Sequence, residues 1–180
     1  MKEYRFLDGT IIKVPDEVCR GCYLENVKIS IEELNPIWSN RDFVIRQDAE
    51  CPLPAFYIIS TRRHINTIGD IDCLRAAQLG VIISELRKTM LSALGVKRIH
   101  MILEERLVEP QLHIWMLPLW PDVMRRNGID PKIWNSNILD YINLFDYSEN
   151  RETIIKYNKI MESVLGENQI LNRLDSIFNR

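Results

Sequence analysis

The chain has 180 residues, 46% of them hydrophobic and 27% charged, and its 23 Lys and Arg against 25 Asp and Glu leave a net charge of −2. Those proportions exclude a disordered or collagen-like chain, and the length suits one domain with an appended element. The even charge argues against a nucleic-acid partner, and no apolar run reaches the roughly 20 residues of a membrane-spanning helix.

No apolar stretch of signal-peptide length follows Met1-Lys2-Glu3-Tyr4-Arg5, so a cytoplasmic location is expected. In Tyr4-Arg5-Phe6-Leu7-Asp8-Gly9-Thr10-Ile11-Ile12, Asp-Gly separates two apolar runs, which predicts a hairpin. Pro15 to Asn26 reads as a loop or knuckle. Phe43-Val44-Ile45-Arg46 and Ala55-Phe56-Tyr57-Ile58-Ile59 read as strands, parted by a turn at Pro52-Leu53-Pro54 because proline cannot serve a sheet interior. From Asp70 to Leu94 the period changes. Leu79, Ile82, Ile83, Leu86, Met90 and Ala93 share one helical face, with Asp70 as N-cap and Gly95 as the stop.

Ile99-His100-Met101-Ile102-Leu103 and Gln111-Leu112-His113-Ile114-Trp115-Met116-Leu117 are the next strands. In the second, alternation puts Gln111, His113 and Trp115 on one face and Leu112, Ile114 and Met116 on the other. After Pro118 the chain reads as irregular, through Trp120, Arg125, Arg126 and Gly128. Helices are expected near Pro131 to Phe145, Asn150 to Leu165 (apolar stripe Ile154, Tyr157, Met161, Val164, Leu165) and Asn168 to Phe178. The order gives an α+β domain over residues 1–118, with a helical extension over 119–180 packed on the same domain.

Four cysteines do not make a disulfide framework. Cys51 and Cys73 stand alone, while Cys19 and Cys22 form a C-x-x-C that is open to reading as a metal half-site, a redox pair or incidental thiols. His64 follows Arg62-Arg63 in a basic turn. The segment Trp115, Trp120, Arg125-Arg126, Trp134 interleaves aromatics with cations. Such a set either stacks a base beside a phosphate or anchors the C-terminal helices to the core.

Three features stand in a telling order: Cys19/Cys22, the strand and turn Tyr57-Ile58-Ile59-Ser60-Thr61-Arg62-Arg63-His64-Ile65, and Gln111-Leu112-His113-Ile114-Trp115-Met116-Leu117-Pro118, with a long helix between the second and third. In these the chain resembles the histidine triad superfamily, including its galactose-1-phosphate uridylyltransferase branch. The signature there is His-apolar-His-apolar-His plus two apolar residues, often followed by Pro. The resemblance spans roughly Cys19 to Pro118, and it implies an antiparallel sheet with one long helix between strands.

The resemblance implies that His113, at the central position, is the nucleophile. Its imidazole would attack the α-phosphate of a nucleotide ester or anhydride, and water, phosphate or a sugar phosphate would remove the nucleotidyl group. Gln111 stands at the first motif position, where it would position substrate or phosphate. Trp115 stands at the third, with a single neutral N–H and no titratable proton. General-acid help to the leaving group, typically about 10²–10⁴-fold, therefore does not carry over. Arg62 and Arg63 would offer charge to the phosphates. A zinc site of the branch would draw on Cys19, Cys22 and His64, with Gln111 in place of its fourth ligand and water or His100 to complete it. The ligand class implied is a nucleotide or nucleotide sugar, and family members commonly pair as homodimers. Two further readings stay open: a catalytically impaired nucleotide-binding or regulatory protein, and a docking protein built on the knuckle and the C-terminal helices.

Overall fold

The computed structural model describes residues 1–26, 31–108, 111–131 and 138–178. Strands β1 (Lys2–Arg5) and β2 (Ile11–Val14) pair antiparallel around Asp8-Gly9 as the expected hairpin. The hairpin ties to the body through the Leu7 N–H, which donates to the Ala49 carbonyl at 2.8 Å. The stretch expected to be a loop instead ends in a short helix, α1 (Arg20–Asn26), entered directly from Cys19. No apolar period announces it. Tertiary ion pairs hold it, a force that overrides local propensity in so short a helix.

The main sheet contains β3 (Trp38–Ser39), β4 (Phe43–Gln47), β5 (Tyr57–Thr61), β6 (Arg98–Leu103) and β7 (His113–Leu119) in the order β3-β4-β5-β7-β6, every neighbouring pair antiparallel. β5 begins two residues later than its apolar run. The Gln47 amide donates to the carbonyls of Leu53 (2.9 Å) and Cys51 (3.3 Å), and the turn it braces holds Ala55 at φ +65°, outside the strand region. β7 runs through Pro118 rather than ending there. The Tyr141 hydroxyl donates to the Pro118 carbonyl at 3.0 Å, on the flank where β5 has already ended. The proline nitrogen points the same way as that carbonyl, so no ladder bond to β6 is forfeited.

The long helix is α2 (Cys73–Leu94), capped by Asp72, whose carboxylate accepts from the Arg75 N–H at 2.8 Å. Asp70, the expected cap, closes a 3₁₀ turn at Ile68–Asp70 with Thr67. Gly95 ends α2 at φ +71°, as its position after the last apolar residue requires. The chain after β7 is helical where it read as irregular: α3 (Pro121–Arg126) starts on a proline at its first turn. Then come α4 (Ile138–Ile142), α5 (Tyr147–Gly166) and α6 (Gln169–Phe178); residues 132–137 of the expected helix from Pro131, Trp134 among them, lie outside the described residues.

One face of the sheet carries the main core. Ile45, Tyr57, Ile59, Ile114 and Met116 meet Leu79, Ile82, Leu86 and Met90 of α2, and behind these sit Met161 and Leu165 of α5 and Leu171 and Leu174 of α6. Burying each such aliphatic side chain is worth about 1.5–3 kcal/mol. The architecture is α+β, with a single long helix between β5 and β6. No helix among the described residues is long and apolar enough to cross a membrane.

Candidate functional site

Alternation along the strands sends the core residues to one face and a different set to the other. Register makes that second set into rows: Arg46 opposes Ile58, which opposes Trp115, and Val44 opposes Ser60, which opposes His113. α1 lies along this face, and between them is a cleft of about 800 Å³ of empty space, its open mouth included. Its walls include His113, Trp115, Ser60, Arg20, Arg46, Arg106 and Asp48.

His113 begins β7 with its side chain 15% exposed. Its Nδ1 lies 2.7 Å from the carbonyl oxygen of Gln111. A carbonyl only accepts, so the proton resides on Nδ1 and the lone pair on Nε2. Burial pushes the imidazolium pKa below its ordinary value, the Gln111 carbonyl acting in the opposite direction, so the ring is neutral near pH 7. Glu104 Oε2 is 3.9 Å from Nε2, and Arg106 Nε donates to the same oxygen at 2.7 Å. A neutral imidazole with a free nitrogen on a cleft wall is chemically a nucleophile or a general base.

Gln111 faces two ways. Its backbone oxygen holds His113, while its buried amide donates to the Thr61 carbonyl at 3.0 Å and accepts from the Cys19 thiol at 3.0 Å. Gly21 makes room for it: a Cβ there would lie 1.7 Å from Gln111 Oε1. Cys19, Cys22 and His64 gather with their donor atoms within 4.8 Å of one another, Cys22 Sγ lying 3.3 Å from His64 Nδ1. Two thiols and an imidazole are the donor chemistry of zinc, so these residues fit that ion. Burial, with Cys19 alongside, pushes the Cys22 thiol up to about 11. His100 is not part of this group; it stands on β6 opposite Leu117.

Arg62 and Arg63 lie outside the cleft wall. Arg62 donates to Glu25 (3.1 Å) and to the Asn40 carbonyl (3.1 Å), and Arg63 is exposed. Among the described residues, the cations in the cleft are Arg20, paired with Glu50 and stacked over Tyr4 at 4.9 Å; Arg46, paired with Glu25; and Arg106. Arg46 carried a signal in sequence, as a lone cation in an apolar strand; Arg106, beyond the end of β6, carried none. One buried atom here, Arg46 Nε, has no hydrogen-bond partner, which is costly.

Among the described residues of the expected aromatic wall, Trp115 alone is in the cleft, edge-on to Phe56 at 5.4 Å. Trp120 anchors the helices instead, its indole donating to the Pro54 carbonyl at 3.1 Å and its ring 6.1 Å from Tyr157. Arg125 and Arg126 are exposed on α3.

No protein-family model and no curated protein matches the sequence. Solved structures do match. A Hit-like protein involved in cell-cycle regulation from Bartonella henselae superposes with a TM-score of 0.54 at 13% identity, over 84% of this chain and 98% of that one. A zinc-bound histidine triad family protein from Mycobacterium smegmatis gives 0.51 at 13% identity, over 83% and 99%. A hypothetical histidine triad nucleotide-binding protein from Sulfolobus tokodaii strain7 gives 0.50 at 16% identity, over 83% and 97%. The fold is that of the histidine triad proteins.

Asp48 supplies a test of the cleft's electrostatics. It is buried, its Oδ1 accepting from the N–H groups of Glu50 (2.9 Å) and Cys51 (2.7 Å), and desolvation pushes its pKa up to about 6 despite those bonds. The folded protein thus keeps a proton that the unfolded chain surrenders near pH 4, so this group's stabilising contribution is complete below that pH and lost as pH rises through about 6. Asp48→Asn keeps the acceptor oxygen without the charge. It is expected to stabilise the protein at pH 7–8 by roughly 2–3 kcal/mol in urea unfolding, the gain fading below about pH 4. A gain independent of pH would contradict this account.

Proposed function

We propose that this protein hydrolyses or transfers a nucleotidyl group through a covalent bond to His113, acting on a nucleotide or nucleotide sugar. The observation that carries the reading is the ring's setting: Nδ1 fixed on the Gln111 carbonyl, and Nε2 at a cleft that holds three arginines and a tryptophan. A phosphoryl group entering there meets cations, and a base meets the Trp115 face. The nucleotide-binding description of the Sulfolobus tokodaii protein supports the same ligand class.

In the first step the Nε2 lone pair forms a bond to phosphorus, and the bond from phosphorus to the leaving oxygen breaks with its electron pair. Nδ1 keeps its proton, and the Gln111 carbonyl stabilises the cationic adduct. In the second, water or another acceptor attacks phosphorus, the P–N bond breaks, neutral His113 returns and a proton is released. Trp115, at the motif's third position, has no proton to give the departing oxygen. The reaction therefore favours phosphoanhydrides, whose leaving groups depart as stable anions, over alkyl esters.

The same reading gives Cys19, Cys22 and His64 a structural zinc, which supports the uridylyltransferase-like branch; the zinc-bound Mycobacterium smegmatis protein adds to that support. The ion would tie the start of α1 to the turn after β5 and so hold one wall of the cleft. Added zinc is expected to raise the Tm of the wild type by several degrees but not that of Cys22→Ser or His64→Ala. A wild type indifferent to zinc would contradict the assignment.

Incubation with dinucleoside polyphosphates and nucleotide sugars, followed by acid-free intact mass measurement, is expected to show a nucleotidyl adduct mapping to His113. His113→Ala should lose the adduct and at least about 10³-fold in turnover. Binding by Trp115 fluorescence without adduct or turnover would favour the regulatory reading, and His113→Ala turning over like the wild type would refute the mechanism.

A further inference from the structure

Attack on a phosphoryl group concentrates negative charge on its non-bridging oxygens, and a cation must meet that charge where it develops. The third motif position, beside the nucleophile, holds Trp115, which carries no charge. The three arginines of the cleft differ in how free they are to act. Arg46 is 11% exposed and paired with Glu25, itself 10% exposed, so releasing it would break a buried pair and leave that carboxylate to Arg62 alone. Arg20 is stacked on Tyr4 and bound to Glu50. Arg106 is the exception: its partner Glu104 lies two residues away at the end of β6, and both side chains are about two-fifths exposed, so little holds the pair together. That same Glu104 oxygen is 3.9 Å from His113 Nε2.

We propose that Arg106 is the residue that grips the phosphoryl group at His113, and that Glu104 is the anion it gives up to do so. The proposal rests on the reading of His113 as nucleophile. In the free protein the Glu104 carboxylate occupies the approach to Nε2 and satisfies the guanidinium. A phosphate oxygen carries the same charge in a similar geometry and can take its place on Arg106, and Glu104 then turns to solvent across the open side of the cleft. The exchange brings the cation to the phosphorus as Nε2 becomes accessible, so charge stabilisation and access to the nucleophile arrive together. It also makes Glu104 a brake, since every anion that binds must displace it.

The test uses a nucleoside 5′-phosphorimidazolide, in adenosine and uridine forms, whose leaving group needs no help from the enzyme; the rate of His113 adduct formation is read by intact mass. Nucleoside monophosphate affinity is read separately from tryptophan fluorescence. Arg106→Gln is expected to slow adduct formation about 10²-fold or more, Arg106→Lys to recover part of it, and Glu104→Gln to form adduct several-fold faster and bind the monophosphate several-fold tighter. Thermal unfolding should be unchanged in all three, because the pair is exposed. Arg106→Gln reacting at the wild-type rate, or Glu104→Gln reacting more slowly than wild type, overturns the proposal while the nucleophile reading stands. A wild type that forms no adduct with either probe removes the nucleophile reading and this proposal together.

Discussion

The Gln111 carbonyl accepts the Nδ1 proton of His113, and the chemistry of the cleft depends on that contact. It fixes the tautomer, fixes the ring plane and leaves the lone pair on Nε2. A carbonyl can hold that position only if its own residue cannot drift. Gln111 is held by its amide at Thr61 and Cys19, and the next residue donates its N–H to the Ile65 carbonyl at 2.6 Å. The orientation of the His113 ring is therefore set by the turn after β5 and by Cys19, elements more than forty residues away in sequence.

α1 closes the cleft from the opposite side, and its position is electrostatic. Glu25 takes Arg46 from β4 and Arg62 from the turn beyond β5, while Arg20 at the other end takes Glu50. The near-complete burial of the Glu25–Arg46 pair means that Glu25 cannot leave without stripping a buried guanidinium of its ion-pair partner. Arg62 thus supports the wall of the cleft from outside it. Gly21, placed between the two cysteines, lets this wall approach Gln111 more closely than any side chain would allow.

Much of the sheet and the long helix were legible in sequence because burial imposes a period. α2 shows the helical spacing from Leu79 to Met90, and β7 alternates so cleanly that His113 and Trp115 could be assigned a face without coordinates. What escaped was set by partners distant in the chain. α1 has no period of its own, Pro118 stays in a strand because the Tyr141 hydroxyl donates to its carbonyl where β5 has ended, and Asp72 rather than Asp70 caps α2 because Thr67 engages the latter. In the candidate site, the motif strand and the Cys19–Cys22–His64 group stood out by spacing, whereas Arg20, Arg106 and Asp48 are ordinary residues that α1, the stretch after β6 and the turn after β4 bring to the same cleft as His113. A charged residue in a loop gives no sign of what it will face.

The chemistry proposed for the cleft depends on the protonation of one ring. Nitrogen-15 NMR of the His113 side chain near pH 7 measures it directly, with His113→Gln to assign the signals. The imidazole should be neutral, with its proton on Nδ1 protected from exchange and Nε2 showing the shift of an unprotonated nitrogen. A proton on Nε2, or an imidazolium at that pH, would mean that the Gln111 carbonyl does not hold the ring as described.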